Sequence, residues 1–366
     1  MVNRLIINKD NLKYNLEQIK HKVGNGVQIA PIVKANAYGV GLKEVTSIIN
    51  TNYYALGNIK EALKLKSLVP SANILIIYQP FLEDIETIIN YDFIPFVSDL
   101  NFIKELNEKA LAKDKKIRVH IELDTGMSRL GIKEGNLEEF AETIKTLSNI
   151  IVEGICTHYS CANNIKTQDL IFTQNQTDLF KIMVDKIQKI IGEVKYLHTS
   201  SGAGVFNPHS EIFNLVRPGY MLYGYYIDEE LKNYVKLKPV LKLATKIIQI
   251  NEYKENTYVG YNRNFITKRP TKIATIAMGY ADGLFRSLSN QASLVVNKQK
   301  APIIGNVCMD TAMLDITDIK GDIKVGDDVY IFDNEIVTLE ELVNIIGTTG
   351  YEFLARINPN VEKLID

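Results

Sequence analysis

Cysteine is scarce in this chain of 366 residues. Cys156, Cys161 and Cys308 are odd in number and spaced unlike metal ligands, which argues against a disulfide framework and for free thiols in a reducing cytoplasm. His21, His120, His158, His198 and His209 are too scattered to suggest a zinc site, so no metal is expected. No apolar run approaches the roughly 18 residues of a membrane-spanning helix, and the opening "MVNRLIINKDNLKYN" lacks the apolar core of a secretory signal. A formal net charge of -1 gives no electrostatic case for nucleic acid or an acidic membrane as partner. Low-complexity segments and internal repeats are also missing.

What remains is the composition of a globular protein, 46% hydrophobic and 23% charged, with a length that suggests two domains. Leu12, Leu16, Ile19 and Val23 recur at helical spacing, and Gly24 follows as a stop signal. Eight strand-like runs come next: "VQIAPIVKA", "YYALGN", "ANILIIY", "DFIPFVS", "IRVHIELD", "IVEGICTHYS", "VKYLHTSS" and "LVRPGYMLYG". Amphipathic stretches such as "DLNFIKELNEKALAKD" and "NLEEFAETIKTLSN" separate most of them. Alternation of this kind predicts an α/β fold with a parallel sheet, and eight strands close a (β/α)8 barrel of the TIM type. An open doubly wound sheet is the alternative. From residue 236 to residue 366 the texture becomes mainly β, with "TLEELVNIIG" the one evident helix, so a barrel over 1–235 and a β domain over 236–366 are expected.

Catalytic groups of such barrels sit at the C-terminal ends of the strands. Lys34 ends the first run in "VKANAYGVG", Arg129 follows the fifth in "DTGMSRLG", His158 and His198 end the sixth and seventh, and Arg217 lies in the eighth. Alternation in "RVHIELD" puts Glu122 on the inward face. Each of these residues alone has an ordinary structural role; their joint position at strand ends is what points to a site.

A lysine among cations has a lowered proton affinity and is poised to form a Schiff base. Pyridoxal 5'-phosphate suits the set, since it needs a lysine, a phosphate cradle, a ring-nitrogen partner and a flat contact. Tyr38 and the amides near Gly202 and Gly219 suit the phosphate, His158 the ring face and Arg217 the ring nitrogen, with His198 orienting Arg217. Guanidinium keeps its proton, so the ring nitrogen stays unprotonated and a carbanion is quickly reprotonated, which favours racemisation over transamination.

Five stretches in order, "VKANAYGVG", "DTGMSRLG", "GICTHYS", "VRPGYMLYG" and "VGYNRNF" with "GYADG…GNVCMD", give a chain that resembles the bacterial alanine racemase family over nearly its full length. The resemblance implies interconversion of L- and D-alanine for the cell wall, with Lys34 as base on the D face. It implies Tyr261 as base on the L face, supplied by the partner in a homodimer. Arg129 would contact the cofactor's phenolic oxygen and the substrate carboxylate; Tyr280 and the Met309 amide would line the substrate end beside Asp310.

Several positions depart from the family pattern. Glu122 stands where a lysine, carboxylated in some members, is common; its carboxylate would orient Arg129 without carbon dioxide. Val40 replaces a histidine. Gly202 stands where a serine is expected, leaving Ser201 or main-chain N–H groups for the phosphate. A late phosphate-binding tyrosine has no evident counterpart in "ARINPN". Three other functions share features with this sequence: a racemase of serine or broader range, a decarboxylase, and a non-catalytic cofactor carrier. Decarboxylases of this barrel place a carboxylate at the ring nitrogen, where Arg217 stands here, and the carrier lacks the β domain.

Overall fold

The computed structural model describes residues 2–164, 166–207 and 210–366, so His209 lies outside the described residues. The chain forms two compact units, one of Asn11–Ala37 and Val45–Lys238, the other of Met1–Asp10, Tyr38–Glu44 and Pro239–Asp366.

Strand β1 (Arg4–Ile7) opens the chain and belongs to the second of these units. All eight runs expected of the barrel then appear as strands: β2 (Gln28–Ile29), β3 (Tyr53–Leu56), β4 (Asn73–Ile76), β5 (Ile94–Val97), β6 (Ile117–Glu122), β7 (Ile150–Cys156), β8 (Tyr196–His198) and β9 (Leu215–Val216). Strands β3 to β8 pair in chain order, each parallel to the next. The ring closes through β2 against β9, through the parallel bridge Ile32–Ala55, and through the bridge Ser201–Arg217. The open sheet is thereby excluded. Arg217 falls one residue beyond β9, held by that bridge.

Helices pack around the ring by an apolar stripe. In Leu100–Ala112 the buried residues are Phe102, Ile103, Leu106 and Ala110, and the Asp99 carboxylate caps the helix by accepting from the Phe102 N–H at 2.6 Å. Leu137–Lys145 buries Leu137, Phe140, Ala141 and Ile144 in the same way. Lys9–Val23 buries Leu12, Leu16 and Ile19 as their spacing requires, and Gly24 ends it at φ 78°.

The second unit is mainly β. Strands β10 (Leu241–Tyr253), β11 (Thr271–Ile276), β12 (Ser293–Val296), β13 (Gln299–Pro302), β14 (Ala312–Asp315), β15 (Asp328–Phe332) and β16 (Glu362–Ile365) join β1 in one sheet. The long β10 is its spine and pairs with β1, β11 and β15. β12 and β13 form a hairpin whose turn residues Asn297 and Lys298 both have positive φ, as a two-residue turn between twisted strands requires. The expected helix is Leu339–Ile346, and a second short one, Gly350–Ala355, follows it.

Candidate active site

Beyond Val33 the backbone turns left-handed. Ala35, Asn36, Ala37 and Tyr38 have φ of 53°, 54°, 56° and 58°, and Gly39 continues at 80°. That conformation costs L-residues roughly 1–2 kcal/mol each, and such strain persists only where the surroundings fix it. Glu61 supplies one fixed point, accepting from the Asn36 N–H at 3.1 Å. Glu61 is itself oriented by the Asn58 cap of the next helix, where the Glu61 N–H donates to Asn58 Oδ1 at 2.9 Å. Lys34 is the residue from which this turn departs. Burial, then the Arg129 charge, lowers its proton affinity below the usual lysine value, while Glu61 acts in the opposite direction.

Arg129 projects from a loop folded on Asp124, whose Oδ1 accepts from the Gly126 and Ser128 N–H groups at 3.1 and 2.9 Å. Gly131, at φ 110°, closes that loop against the backbone: a Cβ there would lie 2.5 Å from the Asp124 nitrogen.

Arg217 is 3% exposed. Its Nη2 donates to the carbonyls of Thr157 at 2.9 Å and Thr199 at 3.1 Å and reaches His158 Nδ1 at 3.3 Å, while Nη1 meets His198 Nδ1. Guanidinium is donor only, so both imidazoles present lone pairs to it. The His158 pKa falls to about 3, through burial first and then the charges of Arg217, Arg129 and Lys34. His158 therefore stays neutral near pH 7, and the same interactions place Lys34, Arg129, His158 and Arg217 in one electrostatic cluster at the strand ends of the barrel.

Ser201 precedes the helical turn Gly202–Phe206, and Gly219 precedes the turn Tyr220–Tyr223. A Cβ on Gly202 would stand 3.3 Å from the Met221 Cβ and 3.7 Å from the Gly219 nitrogen, so the two glycines bring two runs of main chain together.

In the second unit Tyr261 is 69% exposed. Gly260, at φ 70°, and Asn262, at φ 62°, turn the chain on either side of it, and Asn306 Nδ2 donates to the Tyr261 carbonyl at 2.9 Å. It lines a cavity of about 400 Å³ together with Tyr258, Cys308 and Met313. Tyr280 and Met309 lie on crossing backbones: the Tyr280 N–H donates to the Cys308 carbonyl at 3.0 Å and the Ala281 N–H to the Met309 carbonyl at 2.9 Å. Tyr280, Met309 and Asp310 are all exposed.

A model of the alanine racemase N-terminal domain matches residues 7–227, and one of the C-terminal domain matches residues 240–365. The chain belongs to the alanine racemase family. It is 34% identical to alanine racemase 2 of Caldanaerobacter subterraneus subsp. tengcongensis, across 99% of this chain and 94% of that one. Its fold is similar to that of the Clostridium difficile alanine racemase, with a TM-score of 0.93, 29% identity, and coverage of 100% of this chain and 96% of the other. The Bartonella henselae alanine racemase, solved with covalently bound pyridoxal phosphate, superimposes at a TM-score of 0.89 with 25% identity over 100% of both chains.

Two residues gain meaning within an alanine racemase fold. Glu122 is 6% exposed, and burial pushes its carboxyl up to about 7 against the opposing pull of Arg217 and Arg129. Tyr351 escaped sequence reasoning. It lies in Gly350–Ala355, just before "ARINPN", and its ring packs on Tyr38 with centroids 5.9 Å apart. Burial raises its phenol above the usual tyrosine value, so it stays protonated and able to donate. Glu61 was likewise missed, although the spacing Asn58-x-x-Glu61 is a capping signal.

Proposed function

We propose that this chain is an alanine racemase that interconverts L- and D-alanine with pyridoxal 5'-phosphate. The observation that carries the reading is that Lys34, Arg129, His158 and Arg217 all follow strands of one barrel, with Arg217 Nη2 3.3 Å from His158 Nδ1. The donor set fits the cofactor. It offers an amine with loosened proton, a neutral imidazole, a buried guanidinium beside it, and the paired main-chain runs at Gly202 and Gly219. Lys34, Tyr38, Arg129, His158, His198, Ser201, Gly202, Arg217 and Gly219 would hold it. When bound, the cofactor supplies an electron sink that acidifies the substrate α-carbon.

Lys34 Nζ takes or gives the proton on the D face, and its lowered proton affinity leaves neutral amine available. Tyr261 of the partner subunit does so on the L face, and the exposure of that side chain suits a group delivered to a second chain. In this role Tyr261 would have Arg129 and the cofactor's charge close by to ease loss of its proton. Arg129 clamps the substrate carboxylate, Glu122 balances and orients Arg129, and Tyr280, Met309 and Asp310 border the substrate end. Arg217, a donor that keeps its own proton, would face the ring nitrogen of the bound cofactor and leave it unprotonated, which would favour rapid return of a proton to the α-carbon over transamination. Two bases on opposite faces allow inversion in either direction.

The homodimer is required because each site borrows Tyr261. A bacterial cytoplasm, where D-alanine enters cell-wall synthesis, suits the three free thiols. Incubation of the purified holoenzyme with L-alanine, L-serine and L-lysine tests the reading. Optical rotation should decay with L-alanine; decay with L-serine or L-lysine alone, or with none, would overturn it.

A further inference from the structure

Behind Arg217 the barrel interior contains a line of polar side chains of which racemisation, as proposed above, uses only the first. His198 and His120 are both fully buried, with His198 Nε2 2.7 Å from His120 Nδ1. His120 Nε2 lies 3.4 Å from Glu153 Oε2. Glu153 is 7% exposed and lies midway along β7, next to Gly154, which pairs with Tyr196 at the start of β8. There it accepts from the Tyr53 hydroxyl at 3.1 Å and Arg118 at 3.4 Å, with Lys195 at 4.0 Å; Arg118 is also bonded to Asp92 at 2.7 Å.

We propose that His120 and Glu153 are positioning residues for Arg217, joined to it by hydrogen bonds that all point one way. The direction follows from the donors. Arg217 can only donate, so His198 Nδ1 accepts and a neutral His198 carries its proton on Nε2. That proton points at His120 Nδ1, so His120 also carries its proton on Nε2 and donates it to Glu153. The line ends on an acceptor, and only an ionised carboxylate also satisfies the Arg118 and Tyr53 donors. Polarised chains of this kind strengthen each member. They here oppose the desolvation of a guanidinium buried in the barrel and fix its plane.

The backbone is built for this arrangement. Val119 faces Val152 but His120 faces Gly154, so Glu153 is the extra residue of a β-bulge that re-aims its side chain. A Cβ on Gly154 would lie 2.7 Å from both Cε1 and Nδ1 of His120, so the imidazole occupies the space the glycine leaves. Phe96 stacks on the His120 ring at 5.7 Å and 4°. The charges facing the line are consistent with two neutral rings. Burial first holds both imidazoles below the usual histidine range; for His120 it is opposed by Glu153 and joined by Arg217 and Arg118, and for His198 it is joined by Arg217 and His120. Burial raises the Glu153 carboxyl, but His120, Arg118 and Tyr53 together bring it below the usual glutamate value.

This inference rests on the racemase reading only for its consequence; the hydrogen-bond direction is a property of the chain. Nitrogen-15 NMR of histidine-labelled full-length protein, with and without cofactor, reads it directly, and coupling across the N–H···N bond identifies the pair without variants. Both rings should be neutral with the proton on Nε2 from about pH 6 to 8. A proton on Nδ1 of either ring, or titration of either in that window, would overturn the proposal. Glu153→Gln preserves shape and an accepting oxygen but removes the charge. It should move the His198 Nε2–H resonance upfield and lower kcat about three- to tenfold with KM little changed. If resonance and kcat both stay as in the parent, Glu153 does not act on Arg217. Failure to turn over L-alanine in the parent protein would instead count against the racemase reading.

Discussion

The main-chain N–H of Asn36 donates to the Glu61 carboxylate at 3.1 Å, tying the left-handed turn after Lys34 to the helix that follows β3. Glu61→Ala would leave that N–H without its acceptor and remove one opposing charge from Lys34. A loss of about 1–2 kcal/mol in unfolding free energy of the cofactor-free protein is expected by chemical denaturation. The turn is then held by other means if the midpoint does not move.

Tyr351 supports Tyr38 by ring packing. Tyr351→Ala should therefore loosen pyridoxal phosphate about tenfold in a fluorescence titration, and Tyr351→Phe, which keeps the ring, much less. Equal weakening in the two variants would mean that the hydroxyl, and not the packing, matters.

Glu122 carries a pH signature. Its folded pKa of about 7 lies above its ordinary value of 4.5, so the folded protein holds a proton that the unfolded chain releases. The contribution of this group to stability is present at low pH and is lost as pH rises through that interval. In the cofactor-free protein, Glu122→Gln should gain on the parent by about 2–3 kcal/mol between about pH 5 and 8. A pH-independent difference would show that the carboxyl titrates normally. Kinetically, Glu122→Gln should weaken turnover by loosening Arg129.

Tyr261→Phe would remove the group proposed as base on the L face. The two alanine enantiomers have equal free energy, so kcat/KM must fall equally in both directions, and the discriminating quantity is the isotope effect. Deuterium on the α-carbon should slow the variant more from L-alanine than from D-alanine. Symmetric isotope effects would argue against a division of labour between Tyr261 and Lys34.

The barrel was legible because each strand–helix unit is local. Apolar runs, caps such as Asp99 and stops such as Gly24 each sit within a few residues of what they specify. β1 and β16 were not legible: "RLII" and "EKLI" are four residues each, from opposite ends of the chain, and become strands by pairing with each other, β1 also pairing with β10. Lys34, Arg129, His158 and Arg217 could be nominated as candidates because they follow strand endings. Tyr351 could not, since only a fold that returns its short helix to Tyr38 distinguishes it among 19 tyrosines. Glu153 was hidden by its bulge, which breaks the alternation that correctly turned Glu122 inward.

The account depends most on Lys34 as the residue that carries the cofactor. Reduction of the yellow holoenzyme with borohydride, followed by digestion and peptide mapping, should place a single pyridoxyl label on Lys34 and abolish activity in proportion to labelling. A label on any other lysine, or none on a fully active enzyme, would contradict it.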